Sequence, residues 1–137
     1  MNTPFSILLV EDDVVDVMSV KRALLELNSN HTLAVAGNGE EALLYLRKEQ
    51  NPLPGIILLD INMPRMNGLD FLKILKADER LRRIPVVVLT TSKEEKDRLE
   101  SFNLSAAGYM VKPVDYAGFV EVVRTIQGYW NLSEMPP

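Results

Sequence analysis

The stretch GIILLDI at residues 55–61 decides the fold, because a run of buried-type apolar residues here surrounds a single aspartate. Runs this dense in Ile and Leu are typical of strands that are buried on both faces of a parallel sheet. Residues 5–10 and 84–89 have the same character. Residues 32–36 are shorter and alternate, which suits an edge strand, and residues 106–111 complete five candidate strands.

Five helical segments separate or follow these strands: residues 17–27, 42–46, 69–75, 93–102 and 119–126. Four of them repeat apolar residues at helical spacing. The fourth in chain order is mostly charged, and we expect Leu99 and Phe102 to anchor it to the core. Strands that alternate with helices predict an α/β fold, with one parallel sheet and helices on both faces, because the crossovers are right-handed.

Residues that favour helix starts support these segments. Asn38 precedes Glu41 at the start of the second helix, Ser92 precedes Glu95 at the start of the fourth, and Asp115 opens the fifth. The side-chain oxygens of Asp, Asn and Ser accept hydrogen bonds from the free N–H groups of a first turn. We interpret Asp13 as the start of the first helix, where its charge favours the positive N-terminal end, and not as a metal ligand.

Composition excludes several classes of protein. The 137 residues contain no cysteine, which excludes disulfide scaffolds, Cys-ligated zinc and thiol catalysis. Fifteen Lys and Arg against 19 Asp and Glu give a net charge of −4, so there is no basic footprint for a nucleic acid. No apolar run approaches the roughly 18 residues of a membrane span. We expect one soluble, cytoplasmic domain without nucleic-acid or membrane partners.

Polar residues that stand at the carboxyl ends of four strands predict a binding site, because ligands of such sheets bind there. They are Glu11 and Asp12 after the first strand, Asp60 in the third, Thr90 in the fourth and Lys112 after the fifth. Carboxylates held together repel each other and need a counter-charge, which Mg²⁺ supplies while keeping positions free for phosphate oxygens. Lys112 and Thr90 suit a phosphoryl group, so the set matches aspartyl-phosphate chemistry.

The segment Met63-Pro64-Arg65-Met66-Asn67-Gly68 and the pair Lys112-Pro113 extend this pattern. With them, the chain resembles the response-regulator receiver domain of two-component signalling from about Phe5 to Tyr129. The resemblance implies a flavodoxin-like, doubly wound sheet in the order 2-1-3-4-5 with five helices. We expect a receiver domain at residues 5–130 and a tail at 131–137 without an output domain, a stand-alone form weakly similar to phytochrome-linked regulators.

The resemblance also implies roles for individual residues. Asp60 would accept a phosphoryl group from the phosphohistidine of a sensor histidine kinase or hybrid kinase. Asp12 would ligate Mg²⁺ directly, Glu11 through water and Asn62 through its backbone carbonyl. Asp60 would also belong to the metal site. Lys112 would neutralise the transferred group. The chain would then not be an enzyme in the usual sense, since it would catalyse only its own phosphoryl transfer and autodephosphorylation.

The output is expected to be a change in protein contacts. Thr90 and Tyr109 resemble the family's switch pair, in which the hydroxyl turns to the phosphoryl group and the aromatic ring turns inward. The peptide bond between Lys112 and Pro113 is expected to be cis, as in the family. The signal would pass to a downstream protein, and a homodimer would form through the face of helix 4, strand 5 and helix 5.

Two other interpretations stay open at this point. An interaction module that has lost the chemistry would usually lack the acceptor Asp, an acidic residue or the Lys, all of which are present. A phosphatase with an aspartyl nucleophile would need a second Asp two residues later, where this chain has Asn62. A third class, the nucleotide-binding proteins, is excluded because no phosphate-binding glycine loop follows the first strand.

Overall fold

A computed structural model describes residues 6–27, 31–63, 65–91 and 93–132. Its strands are β1 (Ser6–Val10), β2 (Thr32–Ala36), β3 (Ile56–Leu59), β4 (Val86–Thr90) and β5 (Gly108–Val111). Its helices are α1 (Val14–Glu26), α2 (Gly39–Arg47), α3 (Gly68–Ala77), α4 (Glu95–Asn103) and α5 (Tyr116–Leu132). Residues 133–137, most of the predicted tail, lie outside the described residues.

The strands form one parallel sheet in the order β2-β1-β3-β4-β5, which confirms the predicted fold. The short, alternating segment β2 is an edge strand, as its pattern indicated. β3, in the centre, is buried along its whole length. Within the described residues, no helix is both long and apolar enough to cross a membrane.

Two apolar layers cover the sheet, one on each face. On one face, Leu8 and Leu59 pack with α2 and α3. On the other face, Ile7 and Leu58 pack with α1 and α5. Successive side chains of a strand point to opposite faces, so both layers need an unbroken apolar run. This explains why the central strands are apolar at every position.

Two predicted helix caps, Asn38 and Asp115, are confirmed, and Asp13, predicted at the start of the first helix, is the cap of α1. The Asp13 carboxylate accepts hydrogen bonds from the N–H groups of Val15 and Asp16. Asn38 accepts from Glu41 N–H, and Asp115 accepts from Gly118 N–H. Predicted cap Ser92 lies outside the described residues. α4 begins instead after Glu94, whose side chain makes no capping hydrogen bond.

The expected anchoring of α4 is wrong. Leu99 and Phe102 are 54% and 48% exposed, and Ser101 is the residue that α4 buries. At the end of the helix, Ala106 N–H donates to Ser101 C=O, Ser105 N–H donates to Phe102 C=O, and Ser105 has a φ of 66°. This left-handed turn directs the chain into β5. α4 is mostly charged, and its two large apolar side chains do not form a face that packs on the core.

The expected cis bond before Pro113 is also wrong, since no peptide bond within the described residues is cis. The trans form is the preferred one for a proline peptide, by about 0.5–1 kcal/mol. In this form the proline ring lies against the first turn of α5. A Cβ atom built on Gly118 would lie only 2.3 Å from the Cβ of Pro113.

Candidate functional site

Three predicted site residues directly follow strands, and their backbones are still hydrogen-bonded to the sheet. Glu11, Asp60 and Lys112 donate their N–H groups to the carbonyls of Ala36 (2.9 Å), Val10 (3.0 Å) and Thr90 (2.7 Å). Each residue is thus fixed by the neighbouring strand at the carboxyl edge. Only their side chains are free to respond to a ligand.

The structure brings the predicted acidic residues together. Glu11, Asp12 and Asp60 each offer a carboxylate oxygen, and these oxygens lie within 4.8 Å of one another. Glu11 and Asp60 are buried, whereas Asp12 is exposed and forms the open side of the cluster. Such a set of oxygen ligands with one open side suits a hard divalent cation.

Burial and the crowding of these carboxylates change the pKa of Glu11. Burial, helped by the neighbouring Asp60 carboxylate, raises the pKa of Glu11 to about 7, although hydrogen bonds from Lys112 and from Asp13 N–H oppose the shift. Burial and a nearby like charge both disfavour an ionised carboxyl. A cation at this position would stabilise the charged form.

Lys112 reaches into the same cluster from β5. Its ammonium lies 2.6 Å from Glu11 Oε1, 2.7 Å from Asp16 Oδ2 and 3.2 Å from Asp60 Oδ2, and its side chain is only 7% exposed. Burial acts to lower the pKa of Lys112, but the hydrogen bonds to Asp16 and Glu11 and the charges around it outweigh burial and raise the pKa. The ammonium is therefore charged at the point where a phosphoryl group would sit.

Sequence reasoning missed Asp16. A signal for it existed, because Asp16 follows Asp12 by four residues, which is the spacing of neighbours on one helix face. Asp12 precedes the helix, however, and nothing in the sequence indicates that Lys112 would cross from β5 to the first turn of α1. Only the packed structure brings these two residues together.

Asn62 connects the acceptor candidate to the end of β4. Its backbone N–H donates to Asp60 Oδ1 at 3.0 Å, and its side-chain amide donates to Thr90 Oγ1 at 3.3 Å. Both oxygens of Asp60 are thus oriented, one by Asn62 and the other by Lys112. The amide contact with Thr90 was not anticipated, and the role of the Asn62 carbonyl as a metal ligand stays a prediction.

Thr90 and Tyr109 lie on the same face of the sheet. Tyr109 is paired with Val88, which precedes Thr90 by two residues and therefore points to the same side. Thr90 is fully buried, whereas Tyr109 is partly buried against the core layer of that face. The two residues have the placement that a switch pair needs, and their switching role stays a prediction.

The segment from Met63 to Gly68 closes the loop after β3. Met63 is buried, and Met66 packs so closely on α2 that a Cβ atom on Gly39 would lie 2.9 Å from it. A Cβ atom on Gly68 would lie 2.5 Å from the carbonyl oxygen of Asp60, so only glycine fits. Pro64 lies outside the described residues. The motif thus holds the backbone of Asp60 in place.

The arrangement combines the parts that phosphoryl transfer to a carboxylate requires. Both carboxylate oxygens of Asp60 are oriented, as a nucleophile requires. Glu11 and Asp12 form a cation site beside Asp60, and Lys112 places a positive charge next to it. Phosphoryl transfer depends on such positioning and charge neutralisation more than on covalent assistance.

Comparison with known proteins gives an independent result. The family described as response regulator receiver domain matches residues 7–124. The response regulator Rcp1 from Synechocystis sp. is 36% identical over 133 residues, covering 94% of this chain and 90% of Rcp1. The probable methanogenesis regulatory protein FilR2 from Methanothrix harundinacea is 37% identical over 130 residues, covering 93% of this chain and 84% of FilR2.

Solved structures agree with this comparison. The Mn²⁺-bound form of Rcp1 matches with a TM-score of 0.89 and 34% identity, over 98% of this chain and 100% of that one. The phosphorylated cyanobacterial phytochrome response regulator RcpA also matches with a TM-score of 0.89, at 33% identity and with the same coverage. The chain is therefore similar, over nearly its whole length, to proteins that have been seen with a divalent metal and in a phosphorylated form.

Proposed function

Since the chain belongs to the family of response regulator receiver domains, we propose that it accepts a phosphoryl group on Asp60 from a sensor histidine kinase. The N–P bond of the kinase phosphohistidine breaks and an O–P bond forms at Asp60. The observation that carries this proposal is the Asp60 carboxylate itself, oriented by Asn62 N–H and faced by the Lys112 ammonium. The phosphatase alternative has no support here, because Asn62 turns its amide to Thr90.

Mg²⁺ is the proposed cofactor, and the residues present fit it. Glu11, Asp12 and Asp60 supply the hard oxygen ligands that this ion prefers, with the backbone carbonyl of Asn62 as a further proposed ligand. When bound, the ion neutralises charge on the phosphoryl oxygens. Lys112 shares that task from the β5 side, and its burial keeps competing water away from the ammonium.

The proposed response to phosphorylation runs through Thr90 and Tyr109. The Thr90 hydroxyl donates to the phosphoryl group and leaves space that the Tyr109 ring then fills. β5, which carries Tyr109, contacts α4, and α4 buries only Ser101 of its own residues. A weakly held element next to a new charge is suited to a two-state switch.

The proposed contact surface for partners is the face of α4, β5 and α5. It exposes the apolar residues Leu99, Phe102, Val111 and Val114, and the Val114 side chain is fully exposed. Apolar residues that cluster at a surface indicate protein contacts. We assign a homodimer contact and the downstream protein to this face, and a phytochrome-linked or hybrid kinase as phosphodonor, by similarity to RcpA.

The proposal is tested by intact-mass analysis after incubation with Mg²⁺ and a small acyl-phosphate donor. The wild-type chain is expected to gain one labile phosphate, and Asp60→Asn none. Asp13→Asn is the matched control, since it removes a nearby carboxylate that only caps a helix. Labelling of Asp60→Asn, or labelling that is unaffected by a chelator, would contradict the proposal.

The dimer assignment has its own test in analytical sedimentation with and without beryllium fluoride, a phosphoryl mimic. A shift to the dimer that Val114→Asp abolishes is expected. A dimer that forms equally well with this variant would place the contact elsewhere.

A further inference from the structure

The Lys112 ammonium is shared between carboxylates of two kinds. Glu11 and Asp60 belong to the acidic cluster whose oxygens lie within 4.8 Å of one another. Asp16 lies outside that cluster, on the first turn of α1, yet its Oδ2 is 2.7 Å from the ammonium. A lysine ammonium has three N–H donors, and these three carboxylates can occupy all of them.

A divalent cation and Lys112 compete for the same oxygens. A cation that binds to Glu11 and Asp60 withdraws the negative charge that Lys112 now contacts at 2.6 Å and 3.2 Å. The side chain of Lys112 is only 7% exposed, so little water can reach the ammonium to replace lost partners. An ammonium that stays buried without a carboxylate is unfavourable, and this cost would oppose cation binding.

Asp16 is placed to remove that cost. Its backbone N–H is held by the Asp13 carboxylate at 3.2 Å, which fixes the first turn of α1. Its side chain is 19% exposed, so the carboxylate stays in contact with solvent while it contacts the buried ammonium. A cation in the cluster does not need Asp16, and the pair of Asp16 and Lys112 can therefore persist beside it.

We propose that Asp16 is a positioning residue, which retains the Lys112 ammonium when a divalent cation occupies Glu11 and Asp60. Asp16 thereby strengthens cation binding without touching the cation. It also keeps the ammonium next to Asp60, ready for a phosphoryl group. The inference rests on the cation site of the proposed function.

The test is a double-mutant cycle on Mn²⁺ affinity, measured by titration calorimetry with the full chain and no phosphodonor. Asp16→Asn is expected to weaken Mn²⁺ binding roughly tenfold, the lower end of what residues behind a metal ligand contribute. In a Lys112→Met background, the same change is expected to alter affinity by less than about twofold, since no ammonium remains to be held. Asp16→Ser serves as a second neutral variant with the same expectation.

Asp13→Asn is the matched control, because it removes one charge from the same turn and keeps the cap. Asp13→Asn is expected to change Mn²⁺ affinity by less than about twofold, the same limit as for Asp16→Asn in the Lys112→Met background. Unchanged or tighter Mn²⁺ binding by Asp16→Asn overturns the inference. An equal loss of Mn²⁺ affinity in the wild-type and Lys112→Met backgrounds also overturns the inference. The Asp16 charge would then act on the cation directly and not through Lys112. If the wild-type chain binds no Mn²⁺, the cation site of the proposed function fails, and the inference fails with it.

Discussion

The neighbouring helices α3 and α4 are held to the protein very differently. α3 begins at Gly68, which lies against the backbone of Asp60, and it buries Phe71, Leu72 and Leu75 completely. α4 has no side-chain cap at Glu94 and buries only Ser101 among its nine residues.

The same contrast holds for the strands. β3, which leads to the acceptor candidate, is buried at every position, whereas none of the four residues of β5 is fully buried. The proposed chemistry needs carboxylates at fixed positions, and the β3 side provides them. A response to phosphorylation needs an element whose stability is marginal, and the α4 and β5 side has few buried contacts. In the proposed function, the acceptor and responder roles are therefore divided between the two halves of the sheet.

Two phenylalanines test this contrast with the largest expected effect. Phe71 of α3 is fully buried, and Phe102 of α4 is 48% exposed. Phe71→Ala is expected to lower the free energy of unfolding by about 3–5 kcal/mol, the range for a buried phenylalanine. Phe102→Ala should lower it by less than about 1 kcal/mol. Urea denaturation measures both, and equal losses would contradict the comparison.

Two glycines test the fixed side more locally. Gly68→Ala would place a Cβ atom 2.5 Å from the carbonyl oxygen of Asp60, and overpacking of this kind costs about 1–3 kcal/mol. Gly128→Ala in α5 meets no atom within 4 Å and is expected to stabilise the protein by up to about 1 kcal/mol. If the loop after β3 is as tightly closed as described, the melting temperature falls for Gly68→Ala and rises for Gly128→Ala in thermal unfolding. A neutral Gly68→Ala would show that the loop relaxes easily.

The smallest effect is expected at the end of α4. Ser105 has a φ of 66°, a left-handed conformation that costs a residue with a side chain more than it costs glycine. Ser105→Gly is therefore expected to raise the free energy of unfolding by about 0.5 kcal/mol. Ser105→Ala keeps the strain and serves as the control. A loss of stability in the glycine variant would contradict this description of the α4 turn.

Much of the fold was predictable because its signals are local. The apolar run at residues 55–61 needs cover on both faces, and a parallel sheet with helices on both sides is what provides it. The caps Asn38 and Asp115 act on their own helices, so their sequence context was sufficient. The grouping of Glu11, Asp12 and Asp60 also followed, since parallel strands place their carboxyl ends at one edge.

What could not be predicted depends on how side chains cross between elements. The pairing of Lys112 with Asp16 joins β5 to α1, and no local pattern encodes it. The rotation of α4 was misjudged for a related reason, because its few apolar residues do not define one face. Leu99 and Phe102 are apolar, but both lie on the outside of the helix.

The most direct test of this division is amide hydrogen exchange with Mg²⁺, with and without beryllium fluoride, on the wild-type chain and on Asp60→Asn. In the wild-type chain, the mimic is expected to change protection mainly in α4 and β5, while the protection of α3 stays unchanged. Asp60→Asn should show no response to the mimic. An unchanged α4 in the wild-type chain, or the same response in Asp60→Asn, would contradict the claim that chemistry at a fixed Asp60 is communicated through the loosely held side.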